Sequence, residues 1–414
     1  GHRWGFFPSI ALGYNISEES FFEPLRKVVT SMKLRGSWGL VGNDQIGGER
    51  FIYMPTINLS GKGFTTGIDQ NYGLSGPVYT RYENTNITWE VGEKINLGID
   101  LQLLNSLNIV VDVFRETRRD IFQKKGTIPT YLGTGSTDVF GNLAEMKNQG
   151  LDFSIDYNKA FSKDFYMNFK GTFTYAHNEI TKYDEAPKYA FQSKVGQSAN
   201  VNQGYLSNGL FLDEAEIDRY NQQMGSTLGA GDIKYLNVSN IHGYGDNIVD
   251  VDDWTWIGNP TVPEIVYGFG PSFKYKNWDF SFFFQGAAKT SLMMSGIHPF
   301  GTRSINGLFQ FIADDHWSVD NPNPNAKYPR LSKKDNTNNT EWSDYWLRNA
   351  AFLKLKNAEI GYTFKNMRFY FSGQNLLTFS PFKEWDPEMG GGSGLKYPTQ
   401  RVFNVGFQIT FNKK

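Results

Sequence analysis

Gly150-Leu151-Asp152-Phe153-Ser154-Ile155-Asp156-Tyr157 alternates apolar and polar side chains without a break. Successive side chains of a strand point to opposite faces, so Leu151, Phe153, Ile155 and Tyr157 share one face and Asp152, Ser154 and Asp156 the other. The same pattern runs outward in both directions. Downstream, Phe165, Met167, Phe169, Phe173 and Tyr175 alternate with Asn168, Lys170, Thr172 and Thr174. Upstream, Ile95, Leu97, Ile99, Leu101 and Leu103 alternate with Asn96, Gly98, Asp100 and Gln102, followed by Leu107, Ile109, Val111 and Val113. Trp278, Phe280, Phe282 and Phe284 form a further set, and Phe403, Val405, Phe407, Ile409 and Phe411 close the series.

With weaker candidates added, the pattern predicts strands over about 3–14, 32–41, 92–104, 106–117, 145–158, 164–177, 264–276, 278–290, 352–364, 367–376 and 400–411. Most reach the roughly 9–11 residues that cross a bilayer at a tilt. Soluble strands average nearer five or six. The composition agrees, with 34 Phe, 22 Tyr, 10 Trp and 43 Gly in 414 residues. Aromatic side chains suit a pleated surface and glycine suits its bends. Mean hydropathy is −0.46, and no run approaches the roughly 18 apolar residues of a membrane helix. A barrel strand meets lipid only at every second residue, so this value is compatible with a barrel.

The connections are sorted by length. Short ones fall near 105, 159–163, 277 and 365–366, with a longer one at 15–31; long ones span 42–91, 118–144, 178–263, 291–351 and 377–399. Tight turns at one end and long loops at the other characterise outer-membrane barrels, whose long loops are extracellular. With short turns at the periplasmic end, the first and last strands run in the same direction and cannot pair to close an up-and-down barrel. The chain is therefore expected to be part of a larger barrel, with an odd number of strands supplied from elsewhere. No signal peptide precedes the first strand, so an export signal is expected in a segment that was removed or lies outside this sequence.

Several stretches resemble the C-terminal part of the SusC/RagA family of TonB-dependent transporters of Bacteroidetes. They are Arg3-Trp4-Gly5-Phe6-Phe7-Pro8-Ser9 with Ile16-Ser17-Glu18-Glu19, Lys33-Leu34-Arg35-Gly36-Ser37-Trp38-Gly39 with Gly42-Asn43, and Asn148-Gln149-Gly150-Leu151-Asp152. Gly231-Asp232-Ile233-Lys234-Tyr235 and Ile257-Gly258-Asn259-Pro260 frame a recurring loop. Tyr328-Pro329-Arg330-Leu331, Leu353-Lys354-Leu355-Lys356-Asn357 with Gly361-Tyr362, Gly373-Gln374-Asn375-Leu376, Asp386-Pro387-Glu388 and Tyr397-Pro398 with Arg401 follow in the family order. There are two departures. The stretch Gly245-Asp246-Asn247-Ile248-Val249-Asp250-Val251-Asp252-Asp253 keeps the acidic residues of a calcium-loop-like motif but lacks its turn glycine; it is expected to be a solvated acidic loop. The chain also continues past Phe411 with Asn412-Lys413-Lys414.

The resemblance implies an all-β transmembrane antiparallel barrel, with residues 1–414 forming roughly the C-terminal half of a 22-stranded barrel whose plug domain lies outside this chain. It also implies TonB-dependent import of glycans or oligopeptides across the Gram-negative outer membrane. The implied partners are a SusD-like surface lipoprotein and the TonB–ExbB–ExbD complex, the latter acting through the plug. Read from the residues alone, apolar side chains should face outer-membrane lipid, while Asp152, Asp156, Lys170 and Asn404 should line the lumen. Trp4, Trp38 and Trp278 are candidates for interfacial girdles; packing under a loop is the alternative for the last two.

Other classes find little support. Net charge is −1, from 41 basic and 42 acidic residues, without a basic stripe for nucleic acid, and there is no cysteine for disulfides or thiolate sites. No catalytic motif appears, and no cofactor is expected. His2, His177, His242, His298 and His316 lack ligand spacing. Gly390-Gly391-Gly392-Ser393-Gly394 reads as a flexible surface loop, and Asp314-Asp315 and Asp252-Asp253 as water-facing pairs. Loop 291–351 carries His298, Phe300, Trp317, Tyr328 and Trp342, which could stack on sugars, meet the lipoprotein or pack on one another. A non-transporting carbohydrate-binding surface protein or adhesin, and a glycan-processing enzyme, remain competing readings.

Overall fold

A computed structural model describes residues 4–44, 51–128, 139–220, 223–224, 228–297, 307–333 and 336–411. Eleven strands form one antiparallel sheet in which every strand pairs with its neighbour in chain order. They are β1 (Ser9–Asn15), β2 (Val29–Asn43), β3 (Glu90–Leu103), β4 (Leu107–Lys124), β5 (Phe140–Ala160) and β6 (Phe165–Lys182). The series continues with β7 (Ile265–Tyr275), β8 (Trp278–Ala288), β9 (Phe352–Phe364), β10 (Met367–Phe379) and β11 (Val402–Ile409). Each predicted strand has its counterpart. Among the described residues β1 and β11 each have a single sheet neighbour, and the two run in the same direction.

The bounds differ most in the middle of the sheet. β4, β5 and β6 have 18, 21 and 18 residues and continue beyond the apolar stretch. The loop predicted at 118–144 is thereby shortened to 125–139. Its flanks are strand, but Arg118, Arg119, Asp120 and Lys124 interrupt the alternation there, and the ladder is irregular between Arg118 and Ile121. A strand that has left the bilayer needs no apolar face, so the period-two signal fades where the membrane ends.

Cross-strand partners fix which residues share a face. Arg35 lies opposite Gly98, Gly98 opposite Asp112, Asp112 opposite Asp152 and Asp152 opposite Thr174. On this inner side several charges are paired, and Asp152 accepts from the Thr174 hydroxyl at 2.7 Å. The Arg35 guanidinium bonds Asp100 at 2.8 Å and Asp112 at 2.9 Å, Lys170 lies 3.7 Å from Asp156, and Arg368 bonds Asp279 and Glu359. Asn404, opposite Ser372, lies on the same side. The expected luminal residues Asp152, Asp156, Lys170 and Asn404 thus share one face. The other face is apolar and bare, with Leu97, Val113, Phe371, Val405 and Phe407 between 46% and 85% exposed. That exposure suits lipid, not water. Substituting Leu97 with Arg is expected to cost about 2–4 kcal/mol near the midplane, whereas Asn96→Arg on the inner face should cost little. Urea titration of the barrel refolded in lipid vesicles would compare the two.

At the short-turn end the apolar face carries a band of rings. Tyr157 neighbours Phe161, Phe161 neighbours Phe165, and Phe165 neighbours Tyr275, while Trp278 packs on Tyr362 with centroids 4.8 Å apart. Rings with one wet edge suit the membrane–water boundary, which gives Trp278 the girdle position. Trp38 lies on the same face toward the opposite end, where its indole N–H donates to Glu93 at 2.9 Å. Trp4 precedes β1 and is almost fully exposed.

The long loops contain further structure. Thr56–Thr66 and Tyr72–Arg81 form a separate hairpin whose register shifts three times. Short pairs link Asn202–Gly204 with Thr255–Ile257, Ser207–Leu210 with Ile233–Tyr235, and Ser291–Met293 with Leu347–Asn349. Strands of three or four residues fall below what periodicity can detect. Residues from 178–263, 291–351 and 377–399 share one hydrophobic core, including Tyr235, Ile257, Met294, Tyr328, Trp346 and Phe382. The loops are a packed body at one end of the barrel wall.

Candidate functional site

Two buried ionic nodes hold this body together, and both are built from family-like motifs. Asp232, fully buried, accepts from Arg330 Nε at 2.7 Å, Arg330 Nη2 at 2.8 Å, Asn339 Nδ2 at 2.8 Å, Asn336 Nδ2 at 3.0 Å and the Gly229 amide at 2.8 Å. A buried carboxylate is tolerated only when its lone pairs are taken up in this way. The segment after it is stitched across as well. Ile233 N–H donates to Asn339 Oδ1 at 2.9 Å, Tyr235 O–H to the Asn338 carbonyl at 2.7 Å, and Trp346 Nε1–H to the Asn339 carbonyl at 2.9 Å. The Gly231-Asp232-Ile233-Lys234-Tyr235 and Tyr328-Pro329-Arg330-Leu331 stretches are two halves of one clasp.

The second node lies where β9 meets the last loop. Lys354 is fully buried and its ammonium donates to Asp386 at 2.6 Å and 2.8 Å and to Glu388; Lys356 reaches Glu388 at 2.7 Å. The β8–β9 ladder shifts register between Phe283 and Phe284, so the inward set passes from 352 and 354 to 357, 359 and 361. That shift is how one strand serves the loop node at its top and the luminal wall below.

Beside the second node is a cavity of about 430 Å³, lined by Asn202, Trp342, Phe352, Met293, Glu388 and Gly391, among others. Phe352, one of the lining residues, lies on the inner face of the wall. The glycine run at 390–394 borders it and is not a flexible surface loop. Gly392 N–H donates to the Met293 carbonyl at 2.8 Å, Ser295 N–H to the Gly392 carbonyl at 2.9 Å, and Trp385 Nε1–H to the Gly390 carbonyl at 3.0 Å. Gly390, Gly392 and Gly394 adopt φ of 70°, 103° and 69°, backbone that a side chain would strain. A Cβ on Gly391 would lie 2.6 Å from the Met293 carbonyl oxygen.

The aromatic candidates of loop 291–351 divide. Trp317 and Tyr328 are core residues, and Trp342 is 47% exposed beside the cavity. His298 and Phe300 lie outside the described residues, as do His2 and the segment 412–414. His177 pairs with Glu264, His242 stacks on Phe191, and His316 meets the Ala313 carbonyl. Asp314 is exposed and Asp315 half-buried. Of the pair expected to face water at 252–253, Asp253 is fully buried, accepting from the Ser239 and Asp250 amides at 2.9 Å each. It completes a capping box, a role that favours an acidic residue and requires no water.

In the acidic stretch Asp246, Asp250 and Asp252 each offer an oxygen within 4.8 Å of the others. Those oxygens already have partners. Asp246 takes the Ile248 amide at 3.0 Å and the Asn237 amide at 3.1 Å, Asp250 caps Asp252, and Lys188 pairs with Asp252. The Ile248 N–H and then Asn237 hold Asp246 below its ordinary range. Asn247 supplies the turn with φ 58°, which explains how the loop forms without the missing glycine.

Burial pushes the Tyr205 hydroxyl up to about 12 and raises those of Tyr328 and Tyr345 further, so all three stay protonated donors at any physiological pH. Burial also raises Glu341 from its ordinary 4.5. A carboxyl raised on folding favours the folded state below 4.5, and that contribution is lost as pH rises through the higher folded value. Glu341→Gln is therefore expected to tighten the loop body at neutral pH and to make no difference below the ordinary value. Protease resistance of the loops, measured across that range, checks it.

An antiparallel wall with a bare apolar side, a charge-paired inner side and packed loops at one end defines an outer-membrane β-barrel. The chain belongs to the "TonB dependent receptor-like, beta-barrel" family, whose sequence pattern matches residues 1–376. It is 27% identical over 435 aligned residues to the TonB-dependent receptor SusC of Bacteroides thetaiotaomicron, covering 99% of this chain and 40% of SusC. It is 25% identical to the TonB-dependent receptor P3 of Formosa agariphila, covering 99% of this chain and 42% of that protein. Among solved structures it shares the fold of a chain of the RagAB peptide transporter, with a TM-score of 0.73 at 21% identity, over 99% of this chain and 44% of that one. The chain thus spans less than half the length of these relatives. They are receptors and transporters, not enzymes, in agreement with the resemblance to SusC and RagA.

Proposed function

We propose that this chain forms the C-terminal part of the barrel of a TonB-dependent importer that takes large nutrients, glycans or oligopeptides, across the outer membrane. The single observation that carries this reading is the common core of the three long loops over the luminal end of the wall. A rigid, aromatic-rich vestibule at the mouth of a polar lumen suits capture of a large solute before passage. A SusD-like surface lipoprotein would cap that vestibule, and the TonB–ExbB–ExbD complex would supply energy through a plug. SusC and the RagAB peptide transporter support import as the class and leave both solute types open.

Uptake of labelled oligosaccharides and oligopeptides by cells carrying the intact transporter tests this. Accumulation should stop on adding a protonophore or deleting TonB. Accumulation that is indifferent to both would contradict energised import, and surface binding without uptake would favour an adhesin.

A further inference from the structure

We infer that Arg115, Thr117 and Arg119 form a docking site for the phosphate of a lipid headgroup, in the leaflet at the long-loop end of the wall. The outer face of β4 carries them in one column. Leu107, Ile109, Val111 and Val113 come first and Arg115, Thr117 and Arg119 follow, on alternate residues of a strand that pairs with β3 without a shift. Val113 lies opposite Leu97 and Leu151 on the lipid-facing side, and Arg115 lies opposite Ile95 and Gln149. The apolar column stops at Val113, and Arg115 opens the first polar row.

A second observation sets the depth of that row. Trp38 lies opposite Ile95, so Trp38, Ile95 and Arg115 share it. The Trp38 indole N–H donates to Glu93, which is one row further from the apolar band. Rings with a polar edge gather where hydrocarbon meets headgroups. Arg115 is therefore at headgroup level.

Third, both guanidiniums are unclaimed. Arg115 and Arg119 are exposed, and among the described residues neither has an ion pair, a side-chain hydrogen bond or a ring beneath it. Of the nearby carboxylates, Glu93 is bonded to Trp38, Glu145 pairs with Lys182 at 3.4 Å and Glu179 lies opposite Lys147. Asp120 follows in left-handed backbone at φ 57° and pairs with neither arginine. Cations at the short-turn end differ, since Lys159, Lys276 and Lys365 stand over the rings of Phe161, Tyr275 and Phe364.

A guanidinium fork meets two phosphate oxygens at once, which favours a phosphate over a neutral headgroup. The Cα atoms of Arg115 and Arg119 lie roughly 13 Å apart along the strand, so the two side chains can approach one phosphate from both ends with the Thr117 hydroxyl between them. The acyl chains would continue down the apolar column past Val113, which commits the site to a lipid and not to phosphate in solution. The site depends on the place of the wall in the bilayer and not on which solute is imported.

The test titrates the intact transporter in neutral detergent with phosphatidic acid and with diacylglycerol of the same acyl chains, and reads the bound fraction by native mass spectrometry. The two lipids differ only in the phosphate. Phosphatidic acid should bind about thirtyfold more tightly, because each basic side chain at a membrane surface contributes about fivefold toward an anionic lipid, and added salt should weaken it. Arg115→Gln and Arg119→Gln should each lose about fivefold, and the double variant most of the preference. Lysine at both positions should keep part of it, since the charge stays and the two-point contact goes. Lys274→Gln, which removes a charge opposite Asp279 on the inner face, should change nothing. The inference is overturned if phosphatidic acid binds no better than diacylglycerol, or if the double glutamine variant keeps the preference. It is overturned equally if inorganic phosphate at the same concentration displaces the lipid, which would make the column a free-anion site.

Discussion

Asp232→Ala is expected to release the long loops from one another while leaving the barrel wall intact. The carboxylate is fully buried and gathers five donors from three stretches of the chain. Removing it leaves the Arg330 guanidinium without its buried counter-charge and the amides of Asn336 and Asn339 without that acceptor. Breaking a buried pair from one side costs roughly 3–5 kcal/mol, and the loss falls on the loop body because the donors to the Asp232 carboxylate lie at 229, 330, 336 and 339, all in the loops. Limited proteolysis should show new cuts around 229–236 and 330–340, while the barrel keeps its heat-dependent shift in gel mobility. Asp232→Asn, which keeps the shape and part of the hydrogen bonding, should lie between the two. An unchanged cleavage pattern for Asp232→Ala would mean that the clasp does not hold the loops.

Lys354→Met should be of similar size and should fall at a different place. The ammonium is fully buried between Asp386 and Glu388. Methionine fills a comparable volume but leaves two carboxylates side by side, and only Glu388 retains a cation, Lys356. The expected result is detachment of the loop around 380–399 from β9, again for roughly 3–5 kcal/mol. Hydrogen exchange should then speed up at Glu388 and Gly390, whose amides are held by Asp386 and Pro387, with β9 and β10 unaffected. Exchange that rises equally in β9 and β10 would show that the node supports the wall itself.

The wall was legible in the sequence because a membrane strand repeats one simple constraint. Each second residue must tolerate lipid, and Leu151 to Tyr157 or Phe403 to Ile409 state that directly. Where the constraint stops, legibility stops. The charged upper part of β4 has the sequence of a loop, although Arg118 to Lys124 continue the ladder. The loop body was invisible for a different reason. Its two nodes join Asp232 to Arg330 and Lys354 to Asp386, pairs 98 and 32 residues apart along the chain, and no local pattern marks such contacts. In sequence these motifs show only as a resemblance; their physical reason is a tertiary contact. The glycine run is ambiguous in sequence because glycine marks flexibility and forced positive φ equally, and only the neighbours of Gly391 and Gly392 decide between them. Asp253 is equally ambiguous, because a capping carboxylate and a solvated one look alike in sequence.

Which face of the sheet meets lipid is the claim on which the rest depends, and the chain suits a direct measurement because it contains no cysteine. Single cysteines placed in turn from 151 to 157, in the intact protein in lipid vesicles, can carry a spin label whose collisions with oxygen and with a water-soluble nickel chelate report lipid and water separately. Positions 151, 153, 155 and 157 should favour oxygen and positions 152, 154 and 156 the chelate, an alternation with period two. Chelate access at every position, or the opposite phase, would contradict the barrel wall described above.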